Sequence, residues 1–429
     1  MKRELFCGLL AGTMLLPAKA QVSSTLSPYS QFGLGVLADQ SQGFNRGMGG
    51  VGIGLRNGKY VNMQNPASYS SVDSLTMIFD AGVMGQITNL KEGGKKVNAK
   101  TGNFDYVVAG FRLLPKVGVS FGVVPYSNIG YNYYSADYIG SSASYTNERH
   151  EGDGGFSQVF LGAGWEFMKG FSAGFNVSYF WGKWEKTTSV ISSDTYVNTL
   201  TKGYSTSVKS YKLDFGVQWQ KQINKNDVLT LGATVGLGHG LNNTAEMLTA
   251  NVDNQTGVIT SDTIRLDKAL SIPFSFGVGA SVVHKRSLTL ALDYRMQRWG
   301  SLDYPMFNPQ NDHYELVGGQ MKDRHQVALG ADWIPSLTSR RFLSRVHYKA
   351  GISYATPYYK VQGQNGPSEL CLSAGFGIPI INGWNNRSTL NISAQWVHAS
   401  AKNLVTENTF RINIGLTFNE RWFAKWKVD

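Results

Sequence analysis

The chain has 429 residues, 42% of them hydrophobic and 12% aromatic, with 49 glycines, two cysteines and a formal charge of +11. Once an N-terminal leader is removed only Cys371 remains, which excludes an internal disulfide. No basic helix, finger or nucleic-acid motif accompanies the positive charge, so it excludes nothing but fits loops near acidic headgroups better than nucleic acid.

Residues 1–20 read as a secretory signal. Lys2 and Arg3 are its basic start, Leu5 to Leu16 its short apolar run, and Ala18-Lys19-Ala20 its small-residue cleavage site, which predicts a mature start at Gln21. Loss of Lys2, Arg3 and Lys19 together with Glu4 lowers the charge by two, to about +9. Cys7 does not make a lipoprotein signal, because Phe6 before it is too bulky. Beyond the leader no run of about eighteen apolar residues occurs, so no transmembrane helix is expected.

Residues 21–73 lack alternation and are rich in Gly, Ser and Asn, centred on Gly43-Phe44-Asn45-Arg46-Gly47-Met48-Gly49-Gly50-Val51-Gly52-Ile53-Gly54. From there period-two alternation dominates. Phe410, Ile412, Ile414, Leu416 and Phe418 share one face against Arg411, Asn413, Thr417 and Asn419. The same test predicts about fourteen strands, at 74–90, 102–114, 116–134, 155–168, 170–187, 204–222, 227–241, 270–285, 287–300, 323–335, 344–357, 367–381, 387–400 and 406–422. Short joints, at Leu114-Pro115-Lys116, Met168-Lys169-Gly170 and Lys285-Arg286-Ser287, alternate with long polar stretches at 135–154, 188–203, 242–269 and 301–322.

Such alternation suits a soluble sandwich with its apolar face inward, or a membrane barrel with its apolar face toward lipid. The signal, the even strand number and the strand length favour an all-β transmembrane antiparallel barrel in a Gram-negative outer membrane, residues 74–429. Aromatics near strand ends, at Tyr131, Tyr133, Tyr134, Trp181, Trp184, Trp422, Phe423 and Trp426, are read as interfacial girdles. A lumen of that width leaks unless filled, and residues 21–73 are the expected N-terminal hatch.

The run Arg46-Gly47-Met48-Gly49-Gly50-Val51-Gly52, then Asn65-Pro66-Ala67, then fourteen strands with Ser120-Phe121-Gly122-Val123-Val124-Pro125-Tyr126 among them, resembles the FadL/TodX family of outer-membrane transporters for long-chain fatty acids and aromatic hydrocarbons. Its specific motifs cover about thirty residues. The resemblance implies a hatch inside the barrel, with Arg46, Gly47, Gly49, Gly50, Asn65, Pro66 and Ala67 as its motif, and a substrate route leaving sideways into the membrane. Ser68 departs from the family's usual Asn-Pro-Ala-Gly. Relatives that do not transport and act as secretion shuttles share the layout.

Two motifs suggest chemistry. Gly47 to Gly52 fits G-x-G-x-x-G without a flanking strand and helix, so close backbone packing explains it better than a dinucleotide. Gly170-Phe171-Ser172-Ala173-Gly174 fits G-x-S-x-G but opens a strand, where a nucleophile elbow needs a strand-to-helix turn. The seven histidines are scattered, and no zinc pair stands out. No catalytic residue, metal or cofactor is therefore expected.

The polar phase carries Asp80, Arg112, Lys212, Asp214, Asp293, Arg295, Asp332, Lys349 and Arg411. A salt-bridged, hydrated interior that anchors the hatch accounts for them. The sharper alternative has Arg112, Arg295, Lys349 and Arg411 bind the carboxylate of an amphipathic substrate through charge-assisted hydrogen bonds. Pro125 cannot donate to a ladder, so it marks either a strand end or a kink that opens a window in the wall. The expected function is passive passage of hydrophobic small molecules past the hatch. The expected partners are those molecules, outer-membrane lipids and the barrel-assembly machinery, without nucleic acid. A secretion-shuttle or scaffold barrel, a general porin and a membrane lipase are the rivals.

Overall fold

A computed structural model describes residues 25–138, 145–194, 196–308, 313–336, 338–380 and 388–420. The leader, Cys7 and the aromatics Trp422, Phe423 and Trp426 lie outside the described residues.

Fourteen strands make the wall: β1 Met77–Glu92, β2 Lys95–Leu114, β3 Val117–Tyr138, β4 Tyr145–Met168, β5 Phe171–Ser192, β6 Thr199–Gln222, β7 Asp227–Gly236, β8 Ser275–His284, β9 Leu288–Gln297, β10 Arg324–Trp333, β11 His347–Ala355, β12 Ser368–Ile380, β13 Ser388–Ser400 and β14 Thr406–Glu420. All pair antiparallel in chain order, and β1 pairs with β14, Ile78 opposite Asn419 and Gln86 opposite Arg411, so the sheet closes. Closure answers a solvent demand, because hydrocarbon offers no partner to an unpaired backbone N–H or C=O.

The alternation has the direction a membrane requires. Ile412, Ile414 and Leu416 are 47%, 44% and 43% exposed, while Asn413 and Thr417 between and beyond them are 4% and 3% exposed. Val83, Phe175 and Leu292 are likewise exposed beside buried Gln86, Asn176 and Asp293.

The aromatics are arranged otherwise than expected. Trp184 and Tyr131 are buried inside the outer half of the barrel, where they pack with Leu34, Phe156, Phe180, Trp299 and Tyr358. Tyr134 is exposed, and Trp181 is half-buried against Tyr179. A girdle does stand at the short-turn end, where Trp165 meets Phe167, Phe171 meets Trp219 and Trp333 meets Tyr348 at ring separations of 5.8–6.0 Å.

Several stretches expected as loops are strand. Within 135–154 β3 runs on to Tyr138 and β4 starts at Tyr145, β5 and β6 run through most of 188–203, and Asn243–Val252 pairs with Ile259–Asp267 and with β6. Tyr304–Asn308 and His313–Val317 form another hairpin within 301–322. Above the bilayer both faces of a strand meet water, so the polar–apolar contrast disappears while the ladder continues.

Candidate functional site

The N-terminal segment holds two 3-10 turns, Pro28–Gln31 and Pro66–Ser71, one helical turn, Gly43–Arg46, and a two-residue strand, Val36–Leu37. Its backbone bonds to inward-facing side chains around the wall. Gly49 N–H donates to Ser373 Oγ at 2.8 Å, and Gly52 and Ile53 N–H donate to Asp293 Oδ2 at 2.6 and 2.9 Å. Gln218 Nε2 donates to Ile53 O at 3.0 Å and Ser281 Oγ to Gly54 O at 2.7 Å. These partners belong to β6, β8, β9 and β12, so the segment lies within the ring of strands.

Arg46, 1% exposed, is the strongest tie. Its guanidinium donates to Asp105 of β2, to Asn413 Oδ1 of β14 at 3.1 Å and, within the segment, to Ser41 O at 2.7 Å. Asp105 is available because of a bulge: Gly82 pairs with Tyr106 and Val83 with Phe104, which leaves Asp105 as the extra residue. Asp105 and Tyr106 are consequently both buried, and Tyr106 Oη accepts from Gly43 N–H at 2.6 Å.

The Asn65-Pro66-Ala67 turn rests on wall glycines. Gly118, Gly164, Gly174 and Gly216 are successive ladder partners on β3, β4, β5 and β6. A Cβ on any of them would strike the backbone or side chains of residues 65–70. Asn65 caps the turn, its Oδ1 accepting from Ala67 N–H at 3.2 Å, while its Nδ2 donates to Ile53 O at 2.9 Å and to Val217 O of the wall at 3.2 Å. Ser68 fits the turn, donating to Asn65 O at 2.7 Å. On the opposite side Gly49, at φ +69°, passes so close to β10 and β11 that a side chain would meet Leu329 O and Ile352 O. The G-x-S-x-G motif resolves in the same terms. Gly170 makes the turn, Ser172 accepts from Arg56 at 2.5 Å, and Gly174 belongs to the glycine row.

The wall is interrupted at Pro125. β2 and β3 pair only from Leu114 opposite Val117 to Val107 opposite Val123, and among the described residues no ladder pair joins them farther out. A bulge between Pro125 and Ser127 turns both Tyr126 and Ser127 inward. The freed edge of β3 is taken by the segment itself: Leu37 pairs with Ser127 and Val36 with Asn128, and Ala38 N–H donates to Tyr126 O at 2.9 Å. Gln40 Nε2 donates to Pro125 O at 2.9 Å. From behind, Lys186 Nζ donates to Gln31 O at 2.5 Å and Tyr304 Oη to Gly33 O at 3.1 Å, while Tyr358 Oη donates to Gly35 O.

The four cations named from sequence do not converge. Arg295 and Arg411 share a chamber of about 230 Å³ with Asp39, Arg324, Glu369 and Gln395. Both are engaged, Arg295 with Gln64 Oε1 at 2.6 Å and Arg411 with Gln86 Oε1 at 3.0 Å. Lys349 lines a different cavity, of about 520 Å³, beside Phe44, Tyr60 and Arg286, and donates to Asn391 Oδ1 at 2.7 Å. Arg112 sits at the β2–β3 turn, donating to Leu114 O. Arg324 and Asp105 do not stand out in the sequence. Arg324 shares the phase of Gln326 and can be found by extending the alternation outward; Asp105 is out of phase and cannot.

Several solved structures share this architecture. The Pseudomonas putida toluene transporter TodX matches at 14% identity over 91% of this chain and 100% of its own, with a TM-score of 0.63. The Ralstonia pickettii toluene transporter TbuX matches at 14% identity over 90% of this chain and 99% of its own, with a TM-score of 0.59. A Pseudomonas aeruginosa FadL homologue matches at 12% identity over 89% and 98%, with a TM-score of 0.60. Identities this low establish the fold, which is the one the sequence resemblance implied. No curated protein matches the sequence. A family model described as BamG matches residues 1–429, and the chain therefore belongs to the BamG family, built on the barrel of the FadL/TodX channels.

Proposed function

We propose that the chain is an outer-membrane barrel that passes hydrophobic small molecules, such as long-chain fatty acids or aromatic hydrocarbons, past a displaceable hatch of residues 21–73, with a side exit between β2 and β3. The observation that carries this reading is the unzipped wall above Val107 and Val123, closed by two residues of the N-terminal segment. The two ladder pairs, with the side-chain bonds of Gln40, Lys186, Tyr304 and Tyr358 behind them, are fewer contacts to break than the long ladders around them. Passage runs down a concentration gradient and is favoured by apolar burial, at about 25 cal/mol per Å².

A scaffold or secretion-shuttle barrel is the second reading. The packed aromatic core of Trp184, Trp299 and Tyr358 in the outer half favours it, as do the polar walls of the inner chamber. The general-porin reading has less support, because residues 49–54 of the segment bond to strands on several sides of the lumen.

Uptake of labelled oleate and of labelled toluene by cells that carry or lack the chain separates the two. Transport predicts protein-dependent uptake, abolished when Leu37→Cys and Ser127→Cys are oxidised together in a Cys371→Ser background and restored by reduction. Equal uptake with and without the chain contradicts transport and leaves the scaffold reading.

A further inference from the structure

The outward face of the β1–β2 hairpin carries a cationic patch that the transport reading does not use. Lys91 and Lys96 are direct cross-strand partners, Asn89 pairs with Asn98, and Lys100 pairs with Ile87. Alternation places all six on the outward face, in the phase of exposed Val83 and Phe104, which pair four ladder steps below Ile87 and Lys100. On β14 the residues in the same three rows are Thr406, Asn408 and Phe410. The rows therefore hold three ammonium groups, amides and apolar side chains, and no carboxylate.

All three lysines are exposed, and among the described residues none has an ion-pair partner. Like charges directly opposite one another in an antiparallel ladder are destabilising. Lys91 and Lys96 are in that position, and Glu92, opposite Lys95, lies on the other face. An external anion relieves the repulsion.

Depth indicates where that anion comes from. From Phe104 to Lys100 the strand rises about 13 Å, at about 3.3 Å per residue. At a tilt of about 40° this is roughly 10 Å along the membrane normal. The Lys100 ammonium thus stands just beyond the apolar band, at the end away from the short turns. The Lys91–Lys96 pair, four ladder steps farther out, lies about another 10 Å along the normal, so that the three bracket the outer-leaflet headgroup layer. Asn89 Nδ2 donates to Asn98 Oδ1 at 2.7 Å, which fixes two amides at the centre of the patch.

We propose that Lys91, Lys96 and Lys100 bind the phosphate of an outer-leaflet lipid, with Asn98 as a neutral donor and the acyl chains against Ile87, Val83 and Phe104. A phosphate monoester carries a charge of about −1.5 to −2 near neutral pH and three acceptor oxygens, which answers three ammonium groups better than one carboxylate does. The site depends neither on hatch motion nor on transport.

Native mass spectrometry of the full chain tests this, using diphosphorylated lipid A, the same lipid dephosphorylated, and inorganic phosphate as competitor. The expected result is retention of the phosphorylated lipid, with affinity lowered on the order of a hundredfold by the triple variant Lys91→Gln, Lys96→Gln, Lys100→Gln. Arginine at the same three positions restores retention, and Lys225→Gln with Lys285→Gln at the short-turn end leaves it unchanged. Equal retention of the dephosphorylated lipid, an unaffected glutamine variant, failure of the arginine variant to bind, or displacement by inorganic phosphate at equimolar concentration would each overturn the assignment.

Discussion

Arg46 of the N-terminal segment and Asp105 of β2 form a buried ion pair that joins segment to wall, and a β-bulge is what turns Asp105 inward to meet it. Breaking a buried pair on one side leaves an uncompensated charge and typically costs about 3–5 kcal/mol. Arg46→Ala should therefore release the segment to protease while the barrel keeps its heat-modifiable gel migration. The double variant Arg46→Met, Asp105→Leu should recover most of the protection. Protection unchanged in Arg46→Ala would mean that the remaining wall contacts suffice.

Gly174 meets the Pro66 backbone, whereas a side chain at Gly85 would meet nothing within 4 Å. Gly174→Val should overpack the interface by about 1–3 kcal/mol and expose the Asn65–Ser71 turn to hydrogen exchange. Gly85→Ala should change nothing. Equal exchange in the two variants would show that the glycine row is incidental.

Lys186, 8% exposed, bonds to Gln31 O and to Tyr304 Oη, and its ammonium lies 4.4 Å from the Trp184 ring centre. Lys186→Met keeps the length and removes the donor, at a cost of about 1–3 kcal/mol for the unsatisfied acceptor. The amides of Gly35 and Ala38 should then exchange faster, with those of β13 and β14 unaltered. No change at Ala38 would place the seal's stability in its ladder with β3 alone.

The fourteen strands are legible because lipid on one side and water on the other impose a period of two, seen most clearly at Phe410 to Phe418. The same contrast vanishes outside the bilayer, so β3 beyond Tyr134 and β5 beyond Thr187 read as loop. Trp184 and Tyr131 mislead because an aromatic near a strand end suits a girdle or an interior core equally, and phase decides between them only when bulges are known. The bulges at Asp105 and Tyr126 shift that phase and leave no sequence mark beyond Pro125. The glycine row is visible as Gly118, Gly164, Gly174 and Gly216 in the polar phase of successive strands, but its meaning requires the register that aligns them.

Arrangement of the wall is tested most directly by single cysteines at 411, 412, 413, 414 and 416 in a Cys371→Ser background, each carrying a fluorophore in reconstituted vesicles. Labels at 412, 414 and 416 should be quenched by nitroxide on lipid acyl chains and those at 411 and 413 spared. A flat profile, or a chain that stays folded and soluble without detergent, would contradict an outward apolar face.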